Sequence, residues 1–357
     1  MKVCKLCNHV LDEESRQWRK QIYCSVVCRK KAHRKKVSED LRVVRKRANL
    51  KQNDEMIYLI KQCRRAGTVQ ILHGHDINSF IETMQLIRNR PKGEVELCHI
   101  APVKGLYTLG LLHCENLFYG GKYQNRRFGC CYYSGGLSLH RMYLNPRWGV
   151  FETATNNDVL LLIEAYLKDI IPSYLKVAPV RKSSKVRVIN KILEVDGRQG
   201  FDELILRDLK SLEETWCALS SQSKVSWCSN KESKYMAYLD GLVRFSRYGR
   251  RRGRDLDRLI PIMVIAYMAL ERVLPSKTYN KYFYVEYEPL IDIKYAQAVL
   301  KHPESWSAFK DMIYNLAFDT LQGKKFNCNV IRKSIFSHLN FPQKATLYYG
   351  DYGLTFS

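Results

Sequence analysis

The chain has 357 residues, 46% of them apolar, and 59 Lys and Arg against 35 Asp and Glu, a net charge of +24. That length and apolar content suffice to bury a core in more than one domain, which excludes a wholly disordered chain. The longest apolar run, IMVIAYMAL at 262–270, is far short of the roughly 20 residues that cross a bilayer.

The first residues, MKVCKLCNHV, lack the apolar segment of a secretory signal. A cytoplasmic protein without a membrane partner is therefore expected, with its cysteines reduced or metal-bound. So large a positive charge attracts polyanions and speeds association with them, so DNA is the expected partner.

In chain order, Cys4 and Cys7 form a C-x2-C pair, and Cys24 and Cys28 form a C-x3-C pair sixteen residues later. Two close thiolate pairs can complete a closed tetrahedral Zn2+ shell, a structural site that holds together a segment too small for its own core. The pattern resembles a treble-clef zinc finger, with Cys28 in the first turn of the following helix. His9 and His33 are substitute ligands that four cysteines make unnecessary. The basic run RKKAHRKKVSEDLRVVRKRANLK (29–51) contains no Pro or Gly and reads as a helix to about Arg65, ended by Gly67. Its Lys30, Lys31, Lys35 and Lys36 are candidate phosphate contacts.

HGHD at 73–76 reads as a turn in which Asp76 caps a helix carrying Ile77, Phe80, Met84 and Ile87 on one face. RPKG at 90–93 is a turn. Two strands, EVELCHI (94–100) and CENLFY (114–119), flank a Pro/Gly loop, and the polar stretch KYQNRRFG (122–129) follows. Beyond 158 the pattern is helical. DVLLLIEAYLKDII stops at Pro172. DELILRDLKSLEETWCALS places Ile205, Leu209, Leu212, Trp216 and Leu219 on one face. Further helices cover about 256–274 and 305–322. In RFSRYGRRRGR (244–254), arginines interleaved with Phe245 and Tyr248 suit stacking on bases and contact with phosphates, and Arg250, Arg251 and Arg252 are candidate DNA contacts. The aromatic end, ATLYYGDYGLTFS, reads as a docking segment or a partner tag.

The order of His99, the His-Ile-x-Pro turn, Glu115-Asn116-Leu117 and Asn125 with Arg126 and Arg127 resembles the HNH, or His-Me finger, nuclease motif. In that motif two strands and a helix grip one divalent metal. The likeness covers about residues 94–129. It implies His99 as general base, Asn116 as the residue pinning the loop, Asn125 as a ligand to Mg2+ or Mn2+, and Arg126 or Arg127 offsetting charge on the phosphate. Where many members carry Asp or His before the catalytic histidine, this chain has Cys98, a soft ligand poorly suited to Mg2+. Either one asparagine and waters suffice, as the resemblance to some His-Me finger enzymes implies, or Glu96, on the same strand face as Cys98, is the replacement ligand. His113 is a further ligand, a substrate contact or a satisfied structural histidine.

The expected fold is α+β. A Cys4 zinc finger (1–36) is followed by a basic and a connecting helix (37–92), a ββα-metal HNH unit (93–157) and an α-helical domain (158–357). The expected function is a metal-dependent DNA endonuclease, similar to the zinc-finger HNH nucleases of phage recombination and junction cutting. The alternatives are a non-catalytic zinc-finger DNA-binding regulator, or a phage or defence protein that acts on a host DNA-processing complex through its helical C-terminal half.

Overall fold

The computed structural model describes residues 2–11, 19–91, 93–129, 131–133, 135–178, 183–220, 234–248, 251–272, 281–295 and 297–342. In chain order the elements are α1 (Val26–Ala48), α2 (Asp54–Ala66), α3 (Ile77–Arg88), β1 (Val95–His99), β2 (Thr108–Gly110), β3 (Leu117–Gly121), α4 (Lys122–Phe128) and β4 (Ser138–His140). Then come α5 (Asn156–Leu167), α6 (Ile170–Val177), α7 (Ser184–Val195), α8 (Phe201–Leu204), α9 (Leu209–Ser220), α10 (Lys234–Ser246), α11 (Arg251–Arg272) and α12 (Lys281–Tyr287). β5 (Val299–Leu300), α13 (Trp306–Leu321), α14 (Cys328–Ser337) and β6 (Leu339–Asn340) end the described chain. The class is mixed helix and sheet, with antiparallel pairs β1–β3, β2–β4 and β5–β6.

The chain forms two compact units, each built from two stretches. The first lies within 1–61 and 153–225, the second within 62–152 and 226–357. The sequence reading was of four consecutive segments; each of these two units draws on two separate stretches of the chain. In the first unit, the Lys46 ammonium on α1 is buried and donates to Leu175 O at 2.7 Å, and Arg47 pairs with Glu164 at 2.9 Å. Ser183 N donates to Gln52 O at 3.1 Å. Helices α5 and α6 therefore belong with the basic helix. Ile189, Ile192, Leu204 and Leu212 form a small separate core in the same unit.

In the second unit one face of the β1–β3 hairpin is sealed by α10 and α13. Cys98 and Phe118 lie directly opposite each other in the pairing and join a core that includes Tyr238 and Phe318. Phe118 meets Phe318 edge-on at 5.6 Å, and Gly121 N donates to the Tyr238 hydroxyl at 2.8 Å. A Cβ on Gly120 would come within 3.1 Å of Cys98 Sγ, Phe118 and Phe318, so only glycine fits there. On the other face the Tyr119 hydroxyl donates to Leu86 O of α3 at 2.6 Å.

Several helices depart from the sequence expectation. The helix expected to reach Arg65 breaks after Ala48, because Asn53 caps a new one, its Oδ1 accepting from Met56 N at 3.1 Å. Gly67, at φ +74°, ends that helix as expected. Pro172 does not stop a helix. It sits in the first turn of α6, where its missing N–H has no partner to lose, and the break falls earlier, at Lys168. The helix expected over 202–220 is two pieces, α8 and α9.

The arginine-rich stretch 244–254 also reads differently. Phe245 is in the core, and the Tyr248 hydroxyl bonds Glu82 at 2.9 Å. Arg252 donates to Thr320 O at 2.6 Å and to Leu321 O at 3.3 Å, so it caps α13 and does not face solvent. Arg250 and the Arg251 side chain lie outside the described residues. Residues 345–357, read as a docking or tag segment, lie outside them too.

Arg244 ties α10 to the start of β3. It donates to Cys114 O at 2.7 Å and to Leu117 O, and its guanidinium lies 4.5 Å from the Phe245 ring. Arg244→Ala leaves both carbonyls without that donor and should cost about 2–4 kcal/mol in urea unfolding. Arg247→Ala, at an exposed neighbour, should stay within about 0.5 kcal/mol.

Candidate functional site

Two sites can be built from the residues upward. The first is the cysteine cluster. Ser25 caps α1, its Oγ accepting from Cys28 N at 3.1 Å, which puts Cys28 in the first turn. Sulfur–sulfur distances are 3.5 Å for Cys7–Cys24, 3.5 Å for Cys24–Cys28 and 3.8 Å for Cys28–Cys7. All four sulfurs lie within 4.8 Å of one another. A tetrahedron with metal–sulfur bonds of about 2.3 Å has edges of about 3.8 Å, so the four cysteines could hold a metal ion. Hydrogen bonds shared with Cys28 and Cys7 push the Cys24 thiol up to about 12. Thiolates this close need a cation between them. Among the described residues this is the one group of three or more His, Cys, Asp or Glu with such convergence.

The second site is the hairpin, its insertion and α4. The β1–β3 ladder ends at His99 opposite Leu117, closed by Ile100 N donating to Asn116 O at 2.9 Å. Residues 101–115 then leave the ladder. Asn116, buried, holds them. Its Oδ1 accepts from Ala101 N at 2.9 Å, and its Nδ2 donates to Leu111 O at 2.7 Å and Ala101 O at 3.2 Å. The residue expected to pin the loop does so. A Cβ on Gly136 would collide with Ala101 N and Asn116 Oδ1, so the backbone packs directly on this carboxamide.

Helix α4 starts straight from β3, which gives the order strand, strand, helix. Asn125 Nδ2 donates to Glu96 Oε1 at 2.6 Å, so two of the sequence-picked ligands meet. Arg126 and Arg127 are exposed on the same helix and make no ion pair among the described residues. Cys98 leaves the same face as Glu96 but is buried, and burial holds its thiol well above the ordinary value, with the Glu96 charge adding to the effect. It stays a protonated core residue.

His99 is placed differently. Alternation along β1 sends it to the face opposite Glu96 and Cys98. No hydrogen bond joins its ring to Asn125 or Glu96. Nε2 is sealed without a partner. Burial pushes the imidazole down to about 3, with the Arg65 guanidinium contributing, so it is neutral near pH 7. Arg65, in the last turn of α2 and exposed, was not singled out from the sequence, where it reads as one more cation in a basic helix. The His99 carbonyl accepts from Gln322 Nε2 at 3.2 Å.

His113 is structural. Its Nδ1 accepts from Glu115 N at 3.3 Å, and its ring stacks on His75 at 4.6 Å. His75 in turn bridges Ser79 and Leu112 O. Asp76 caps α3 with a full capping box, as the sequence suggested.

Comparison with protein-family models finds no match. Comparisons with curated proteins and with solved structures find none either. No described helix is long and apolar enough to cross a membrane.

Two half-buried histidines set a pH dependence. His75 is pushed down to about 4 by burial with the neighbouring His113 adding, and His99 to about 3. Both folded values lie below the unfolded value of about 6.5, so between these limits the unfolded chain binds more protons. Their contribution is complete above about pH 6.5 and is lost as pH falls towards 4. The urea midpoint should therefore drop between pH 7 and pH 5. His75→Gln should flatten that drop.

Proposed function

We propose that the chain is a zinc-containing, metal-dependent nuclease acting on DNA. The observation that carries the reading is the contact between Glu96 and Asn125. One hairpin and the helix that leaves it bring a carboxylate and a carboxamide to 2.6 Å, beside a loop pinned by a buried asparagine. The contact is made by the amide nitrogen, so Asn125 would have to turn its Oδ1 towards Glu96 for the pair to offer two oxygens to Mg2+ or Mn2+, which keep several waters and use few protein ligands. Such an ion would supply Lewis-acid stabilisation of charge on a phosphodiester.

The chain's own groups supply the rest. Glu96 and Asn125 would hold the ion. His99, neutral and at the strand end, would accept a proton from water. Arg126, exposed on α4, would meet the phosphate. Zn2+ at Cys4, Cys7, Cys24 and Cys28 would be structural, with no open position. Lys30, Lys31, Lys35 and Lys36, all exposed on α1, would contact phosphates. The sealed Nε2 and the position of His99 across the strand from Glu96 favour a second reading, a zinc-finger DNA-binding protein without catalysis.

Plasmid cleavage with Mg2+ or Mn2+ separates the two. On the nuclease reading, His99→Ala should slow cleavage about a hundredfold or more with DNA binding retained. Glu96→Gln should do the same, and Cys98→Ser should be tolerated at the metal. Absence of cleavage by the parent chain under each ion leaves the binding reading.

Elemental analysis should find one zinc per chain, lost in Cys24→Ser, and a zinc-free parent purified without chelator would remove that assignment. Lys30, Lys31, Lys35 and Lys36 changed together to Gln should flatten the dependence of affinity on salt.

A further inference from the structure

Residues 97–151 carry Lys104, Lys122, Arg126, Arg127, Arg141 and Arg147 against the single acid Glu115. None of the six cations pairs with a carboxylate among the described residues. Within this basic stretch, large apolar and aromatic side chains stand in solvent. Leu106 is 78% exposed, Tyr107 70%, Met142 72% and Tyr143 67%.

They come from two segments that the structure places side by side. The β2–β4 pairing sets Thr108 opposite His140, and Arg141 N donates to Tyr107 O at 2.9 Å. Arg141 Nε donates to Gly105 O at 3.0 Å, and the His140 and Tyr143 rings meet at 6.1 Å. The backbone under the patch is therefore fixed while its side chains are uncovered. The first segment is the far end of the loop that starts at His99 and is held by Asn116.

Exposed apolar area of this kind marks a binding surface. Lys104 and Arg141 belong to these same two segments and pair with no carboxylate among the described residues, which fits a polyanion. Tyrosine and histidine rings beside arginine suit stacking on bases that are free of a partner, and Leu106 and Met142 are shaped to wedge between base steps. A fully paired duplex offers no ring face to Tyr107 or Tyr143.

We propose that the Leu106–Tyr107 and His140–Tyr143 tip is a binding surface for unpaired bases in nucleic acid, so that the preferred ligand is single-stranded or locally opened DNA. The inference rests on the proposed function only in taking nucleic acid as the ligand, and it does not need the chain to cut.

The test is equilibrium binding in EDTA, where cleavage cannot interfere. Three fluorescent DNAs of equal length serve as probes: a duplex, a single strand, and a duplex with a central unpaired loop. The parent chain should bind the looped and single-stranded probes at least tenfold more tightly than the duplex. Tyr107→Ala with Tyr143→Ala should remove most of that preference while leaving duplex affinity and thermal stability unchanged. Tyr107→Phe with Tyr143→Phe should keep it. Equal affinity for all three probes, or a preference that survives the double alanine change, would overturn the proposal. A preference found in a chain that never cuts would support this surface and count against the nuclease reading. Cleavage without any preference would do the reverse.

Discussion

The candidate site depends on one buried carboxamide. The β1–β3 ladder stops at His99 and Leu117, and in the chain between them only Thr108–Gly110 pairs with another strand, β4. Its buried N–H and C=O groups still need partners. Asn116 serves three of them, and Arg244 serves Cys114 O and Leu117 O on either side. Two side chains thus replace a missing length of ladder. Leaving each such group unpaired costs about 1–3 kcal/mol, so the loop keeps its shape only while both side chains are in place. The positions of Ala101, the Pro102 turn and the exposed tip beyond it follow from that constraint.

The same strand end decides what His99 can do. Burial keeps its imidazole neutral, which a proton acceptor requires, but it also lowers basicity, and an acceptor works best with a pKa near the working pH. The two effects oppose each other at one residue. Movement that exposed the ring more would raise its affinity for a proton. Such movement is cheapest where a ladder ends, because few cross-strand bonds must be broken. The cation of Arg65 pulls the other way, favouring the neutral ring.

How much was legible in the sequence follows from the range of each interaction. The metal-type cysteines, the Asp76 cap and the strand–loop–strand–helix order are local patterns, and they lie where spacing placed them. Asn116 was singled out through a resemblance, and what the structure shows of it is its three hydrogen bonds to the backbone. What failed depended on distant partners. Arg252 reads as a free cation until the carbonyls at the end of α13 are set beside it, and Phe245 reads as a stacking ring until the core closes over it. Arg65 was missed for the converse reason, since nothing in its own helix shows that His99 lies nearby. Pro172 was misread because a proline in a first turn and a proline after a last turn look alike without the cap at Asp169.

Helix α1 poses the remaining physical problem. Over residues 29–42 it exposes lysine and arginine on all sides, along with Val37 and Leu41, and buries almost nothing. A helix polar all round has little packing to hold it and must be stabilised at its ends. Here both ends are secured. At the start, Ser25 caps the first turn beside the four clustered cysteines. At the finish, the buried Lys46 ammonium holds Leu175 O, and Arg45, Lys46 and Arg47 sit at the negative end of the helix dipole. An ion in the cysteine cluster would therefore act on the whole helix, because fixing the first turn removes the nucleation cost that a freely solvated basic segment otherwise pays.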